Sequence, residues 1–359
     1  MTRWIDDVEQ EALRLLPEAV GRYFLQGGGD GVTAGEAEAA WRDIRFRPHV
    51  LRDVTSVDVA GSALGTPLAA SVAIAPTTLQ RHADDEGEVA MARGAAAAGS
   101  LVCVSSNAGS TFAAIADTGA PWWVQVYVLG DRRLTEELLA RAVAAGARAV
   151  VLTVDTPVVA TRHGAEPDAG GTVWDVTPDE FLHANYSARV TARDHASVAR
   201  AADLTPDAIG WLTSVTGLPV VVKGVLRADD ARRAVEAGAA AVWVSNHGGR
   251  QLDGAIATRW ALPEVVDAVQ GRAEVYVDGG LRRGTDLMAA YALGATAAFL
   301  GRPALWALTV GSEEGVTRLL DDLRGELVEA MRLAGCVSRA ELTPDLVADA
   351  TGGGRITSL

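Results

Sequence analysis

From about residue 70 onward the chain repeats one pattern eight times: a short apolar run, a few polar or glycine-containing residues, then an alanine-rich stretch with helical spacing. The runs occupy residues 71–75, 101–104, 123–128, 149–154, 219–223, 241–245, 274–278 and 297–300. They are rich in β-branched residues and apolar throughout rather than alternating, which predicts strands buried on both faces, as in a parallel sheet. The stretches between them, such as DRRLTEELLARAVAAGA and ADDARRAVEAGA, space their apolar residues for a helix and end near glycine. Strand–helix alternation counted to eight predicts an α/β fold of the closed (β/α)8 or TIM-barrel kind. An open doubly wound sheet would want a glycine-rich turn after its first strand, and Ala75-Pro76-Thr77-Thr78 is not one.

One such barrel with extensions accounts for all 359 residues, so residues 1–359 are expected to form a single domain. Two segments interrupt the repeat. Residues 1–65 read as an N-terminal extension of helices and a short β region, and residues 156–205 as a long insertion after the fourth strand, expected to act as a lid. The C-terminal TGGGRITSL is expected to be loose. A formal net charge of −14 without any basic cluster argues against nucleic acid as a partner. The two cysteines, Cys103 and Cys336, make neither a disulfide framework nor a metal motif, and no metal is expected. The first twenty residues lack the apolar core of a signal peptide, and no apolar stretch is long enough to span a bilayer. A soluble, cytoplasmic protein is the expectation.

Chemistry in such a barrel gathers where the strands end, so the residues closing each run form one set. They are Ala75-Pro76-Thr77-Thr78, Ser105-Ser106-Asn107, Gln125 and Tyr127, Thr153 and Asp155, Lys223, Ser245-Asn246-His247, Asp278-Gly279-Gly280 and Gly301-Arg302. A barrel with a purely structural role has little reason to put Lys223, His247, Asp155 and Asp278 there. The loops after strands seven and eight, Asp278-Gly279-Gly280-Leu281-Arg282 and Gly301-Arg302, suit a phosphate. Glycines let backbone N–H groups approach the anion at a helix N-terminus, and an arginine adds a two-pronged contact. Either glycine pair alone would be an ordinary turn; both together, in register with the barrel, favour phosphate.

The segment Ser245-Asn246-His247-Gly248-Gly249-Arg250-Gln251-Leu252-Asp253 resembles the active-site signature of the FMN-dependent 2-hydroxy-acid oxidases and dehydrogenases. LPEAVGRYFLQGG, FRPHVLRDVT, APTTLQ, QVYV, LTVDTP, VVVKGV, DGGLRRGTD and LGRP are similar to further motifs of that family, in the same order. The resemblance implies FMN as cofactor, a small L-2-hydroxy acid as substrate and its 2-oxo acid as product. Return of the electrons to O2, giving H2O2, is expected, and a homotetramer is implied. A quinone or other carrier as acceptor remains open, as does a non-redox FMN-dependent barrel isomerase. A flavin-binding scaffold without catalysis is disfavoured by the retained base and its carboxylate partner.

The resemblance also assigns roles. His247 is implied to be the general base, with Asp155 fixing its tautomer and stabilising the imidazolium. Arg250 and Arg162 are implied to grip the substrate carboxylate, where a planar fork matches two oxygens. Tyr23 and Tyr127 would offer hydroxyls to the carboxylate and the reacting oxygen. Lys223 would stand by the pyrimidine edge of the flavin, and Gln125, Thr153, Ser105 and the Pro76–Thr77–Thr78 backbone along its rim. Ser245 would also contact the cofactor, Asp278 the ribityl chain, and Gly279, Gly280, Arg282, Gly301 and Arg302 the phosphate. Two positions depart from the family pattern. Thr78 stands where Ala or Gly is usual beside flavin N5: either its methyl and hydroxyl hinder oxygen or bond the ring, or it simply packs under the ring with its hydroxyl on a nearby backbone carbonyl. Asn107 stands where a bulky aromatic often walls the pocket, which leaves the substrate side chain open.

Overall fold

A computed structural model describes residues 3–163, 172–186 and 199–350. Eight parallel strands close into a barrel: β1 (Val72–Ile74), β2 (Val102–Ser105), β3 (Trp122–Val126), β4 (Val150–Thr153), β5 (Val220–Val225), β6 (Ala241–Val244), β7 (Glu274–Val277) and β8 (Ala297–Leu300). Each pairs with its neighbours in chain order, and β8 pairs with β1 to complete the ring. All eight apolar runs are strands, shifted by a residue or two at their ends. The predicted TIM barrel is therefore the observed fold.

The continuous apolar character of the runs has a direct cause. Alternate residues face inward and outward, and both faces are buried. Inward-facing Trp123, Trp243, Tyr276 and Phe299 fill the barrel, with the Trp243 and Phe299 ring centroids 3.9 Å apart. Outward-facing residues such as Val104, Val124, Leu152 and Val222 pack beneath the surrounding helices. Those helices are Glu88–Ala97, Phe112–Ala116, Arg132–Ala144, Asp207–Thr216, Ala228–Glu236, Thr258–Val269, Gly284–Ala292 and Arg302–Ala334. Local signals set their ends: Asp131 Oδ1 accepts from the Arg133 amide at 3.1 Å, and Thr111 Oγ1 from the Ala114 amide at 3.2 Å.

The N-terminal helices Trp4–Leu15, Glu18–Leu25 and Val32–Arg42 carry the chain to the end of the barrel where the strands finish. Phe24 sets its ring edge-on to Trp306, and the Trp41 indole donates to the Gly279 carbonyl at 2.8 Å. Asp253, on the segment after β6, accepts from the amides of Asp30 at 2.9 Å and Thr33 at 3.0 Å, fixing the start of the third helix. The opposite end of the barrel is closed by the hairpin Gly61–Ala63 and Thr66–Leu68, whose Ala63 and Leu68 join the interior cluster.

Of the insertion expected at 156–205, the described parts lie against the barrel. Asn185 donates to the Ser110 carbonyl at 2.9 Å and accepts from the Phe112 amide at 2.8 Å. Ala201 donates to the Val128 carbonyl at 2.8 Å. TGGGRITSL lies outside the described residues. No helix among the described residues is long and apolar enough to cross a membrane.

Gly280 shows how tightly the extension seats on the barrel. Its φ is +84°, and a Cβ there would stand 2.1 Å from the Ala37 carbonyl oxygen. Gly280→Ala is expected to cost about 2–4 kcal/mol, from left-handed backbone strain and overpacking together. Urea unfolding with the cofactor held at one concentration measures it, and an unchanged midpoint would contradict this packing.

Candidate active site

Parallel strands in a closed ring all finish at one rim, so the eight strand ends surround a single space. There the structure holds a cavity of about 300 Å³. Its wall includes Pro76, Thr77 and Thr78 after β1, Ser105 on β2, Gln125 and Tyr127 on and after β3, Thr153 on β4 and Lys223 on β5. His247 and Arg250 follow β6, Asp278, Gly279, Gly280 and Arg282 follow β7, and Gly301 and Arg302 follow β8. Tyr23 and Arg162 reach it from the extension and the insertion. Asp155 and Ser245 are the two predicted residues outside the wall, and each stands behind a residue in it.

Asp155 lies behind His247, its Oδ1 2.8 Å from Nδ1. The acceptor carboxylate assigns the proton to Nδ1, which leaves the Nε2 lone pair 3.5 Å from the Tyr127 hydroxyl. Thr156 Oγ1 donates to Asp155 Oδ1 at 3.0 Å and lies 3.2 Å from the same Nδ1. Burial holds His247 below the usual imidazole range against the opposing charge of Asp155. Burial pushes Asp155 up, but His247, Lys223 and its hydrogen bonds outweigh it and keep the carboxyl below its ordinary value. Burial pushes the Tyr127 phenol up to about 12, so it stays a donor at neutral pH. His247 adopts φ +58°, unusual for a residue with a side chain, and is held there by Ser245 Oγ on its amide at 3.1 Å. Gly224 makes room for Asp155: it sits at an irregularity in β5 with φ +109°, and a Cβ would come 2.6 Å from Asp155 Cβ.

Ser245 lies behind Lys223, whose Nζ donates to its Oγ at 2.9 Å and pairs with Asp278 Oδ2 at 3.2 Å. Burial opposes the ammonium's charge, but Asp278 and Asp155 outweigh it and raise its pKa. Gln125 Nε2 donates to Thr153 Oγ1 at 3.0 Å. Thr78 Oγ1 donates to the Asn107 carbonyl at 2.9 Å. That hydroxyl is therefore engaged with backbone, which is the second of the two expectations for Thr78.

Guanidinium groups crowd the rest of the wall. Arg250 lies over the Tyr23 ring at 4.6 Å and donates to the Tyr23 carbonyl at 2.6 Å and the Gln26 carbonyl at 2.9 Å. Arg162 lies 5.2 Å from the same ring centroid, with a buried Nε lacking a hydrogen-bond partner. Burial and then Arg250 hold Arg162 below the usual arginine range. Arg302 donates from Nε to the Phe24 carbonyl and from Nη1 to the Gly248 carbonyl, each at 2.9 Å. Its fork is thus turned toward backbone carbonyls, although it lines the cavity. Burial, then Arg250 and Arg282, push it down to about 9. Arg282 pairs with Glu38 at 3.2 Å.

These residues fit FMN. The cationic groups at Arg282 and Arg302, with Gly301 starting a helix that has no side-chain cap, suit a phosphate. Asp278 Oδ1 is buried without a hydrogen-bond partner and can accept from a polyol hydroxyl. Gln125, Thr153, Ser105 and Lys223 offer a polar edge to a heterocycle. Sequence reasoning missed Trp174, edge-on to Tyr23 at 5.6 Å, and Arg200, over the Tyr127 ring at 3.9 Å. Both line the cavity from the insertion, where no periodicity marks them. It also missed Thr156 and Gly224, whose signals are only a hydroxyl next to Asp155 and a glycine inside a strand.

Comparison with known proteins agrees with this geometry. The family model for FMN-dependent dehydrogenases matches residues 12–349. An L-lactate oxidase of Nostoc sp. is 42% identical over 346 residues, covering 92% of this chain and 93% of that protein. Glycolate oxidase of Spinacia oleracea is 40% identical over 350 residues, covering 96% of this chain and 95% of that protein. A crystal structure of a mandelate oxidase superposes with a TM-score of 0.87 at 38% identity, over 96% of this chain and 97% of that one. The chain belongs to the FMN-dependent dehydrogenase family and is an FMN-dependent oxidoreductase.

Proposed function

We propose that this protein oxidises an L-2-hydroxy acid to the 2-oxo acid and passes the two electrons and two protons to O2, giving H2O2. The observation that carries the reading is the His247–Asp155 pair at 2.8 Å, facing the same cavity as the arginines Arg162 and Arg250. A base and a paired-cation carboxylate grip are what a 2-hydroxy carboxylate requires, and an isomerase acting without redox chemistry has no need of that grip. The relatives named as oxidases support O2 as the acceptor over a quinone. The chain is read as one barrel domain, with 1–65 as an N-terminal extension and 156–205 as a lid.

FMN, when bound, supplies the two-electron acceptor; Lys223, Gln125, Thr153, Ser105, Ser245 and the Pro76–Thr78 backbone would hold its ring. Asp278 would hold the ribityl chain, and Gly279, Gly280, Arg282, Gly301 and Arg302 the phosphate. Arg162 and Arg250 orient the substrate carboxylate, with Tyr23 beside it. The Tyr127 hydroxyl, a donor at neutral pH, bonds the substrate's 2-oxygen. His247, neutral because burial depresses its pKa, takes a proton through Nε2, and Asp155 stabilises the resulting imidazolium.

Peroxide and 2-oxo acid formed in equal amounts from a 2-hydroxy acid in air would support this reading, and 2-oxo acid without peroxide would remove O2 as acceptor. His247→Ala should slow reduction of the bound flavin about 10²- to 10⁴-fold while FMN stays bound. Asp155→Asn should lower the rate and also move the acid limb of the rate profile to lower pH. The sign follows from the carboxylate, which raises the imidazole pKa, so its loss lets burial lower it further. An acid limb that stays in place would contradict the coupling.

A further inference from the structure

Arg200 is a cation of the insertion that lines the cavity. It is half-buried, its Nη1 is buried with no hydrogen-bond partner, and it forms no ion pair among the described residues. Its guanidinium covers the face of Tyr127 at 3.9 Å, which leaves the edge of the fork free. It stands at a partition. A second cavity of about 320 Å³ lies beside the first, and Tyr127, Thr153 and Arg200 line both. The rest of the second wall mixes apolar residues, among them Leu152, Leu204 and Val222, with Thr156, Thr205, Asp230 and Arg233. A different role falls to Arg162 and Arg250, which gather about the other tyrosine, Tyr23.

We infer that Arg200 builds a side-chain subsite that selects 2-hydroxy acids carrying a second carboxylate. The inference rests on the function proposed above and names its substrate class. A guanidinium with an unmet, desolvated donor is costly until an anion meets it, and a carboxylate matches its free edge with two hydrogen bonds. The 1-carboxylate goes to Arg162 and Arg250, the reacting carbon lies by His247 and Tyr127, and intervening methylenes pass Tyr127 toward Arg200 within the first cavity. Asn107, a small residue in the wall of the first cavity, leaves space for such a chain.

The test compares chain-matched pairs on the FMN-loaded enzyme: L-2-hydroxybutanedioate against L-2-hydroxybutanoate, and L-2-hydroxypentanedioate against L-2-hydroxypentanoate. In at least one pair kcat/KM for the dicarboxylate should exceed that of its monocarboxylate partner roughly tenfold or more, the usual worth of a hydrogen bond to a charged group. Arg200→Leu should abolish that ratio and Arg200→Lys keep part of it, because an ammonium retains the charge without the fork. The monocarboxylate winning both pairs in the wild type would overturn the inference without any variant. So would an Arg200→Leu enzyme that slows both members of a pair equally, which would make Arg200 a positioning residue for Tyr127. Lactate oxidised with neither dicarboxylate accepted removes this inference alone. No 2-hydroxy acid oxidised at all removes the function on which it rests.

Discussion

The mouth of the barrel is organised around one buried ammonium. Lys223 has almost no solvent contact, yet burial of a charge is strongly unfavourable unless partners surround it. Asp278 on the segment after β7 pairs with it, Ser245 after β6 accepts from it, and the Trp243 ring lies 5.3 Å away. These contacts join three neighbouring strand ends into one electrostatic unit. Its charge also helps keep Asp155 ionised, and Asp155 in turn holds His247 by its Nδ1. Charges therefore alternate from Asp278 through Lys223 to Asp155, which holds the neutral imidazole by its Nδ1. Loss of any inner member would leave a buried neighbour uncompensated.

The second organising feature is the contrast between surface and cavity. The whole chain carries a formal net charge of −14, while Arg162, Arg200, Arg250, Arg282, Arg302 and Lys223 all face one concave space. Such a site, walled by low-dielectric protein, concentrates a positive potential and raises the local level of small anions. The strain of assembling it shows in Arg302, pushed down to about 9 by burial and by its cationic neighbours. Binding a phosphate and a carboxylate relieves that strain, so cofactor and substrate are part of the site's electrostatic balance.

Much of this was legible in the sequence because the fold itself does the assembling. Once eight runs are recognised as parallel strands, their final residues must share a rim, and Gln125, Lys223, His247 and Asp278 meet there although far apart in the chain. Other features depend on geometry that spacing does not encode. The apolar run ends at residue 223 in the sequence, yet the strand continues through Gly224, the irregularity that admits Asp155. For Thr78 the residue type left two readings open, a hydroxyl acting at the ring or one held by backbone, and the Asn107 carbonyl accepts it. Arg302 lies where its loop predicts, but its nitrogens reach carbonyls of the extension and of Gly248. Trp174 and Arg200 come from an insertion with no regular pattern, and only the packed chain brings them to the cavity.

This cavity is built to hold FMN and to oxidise a 2-hydroxy carboxylate within it. Anaerobic titration of the FMN-loaded protein with 2-hydroxy acids, followed by the visible flavin absorbance, tests it most directly. The account predicts that at least one acid bleaches the flavin completely and yields one equivalent of its 2-oxo acid per FMN. If dithionite bleaches the bound flavin but no 2-hydroxy acid does, the account is wrong.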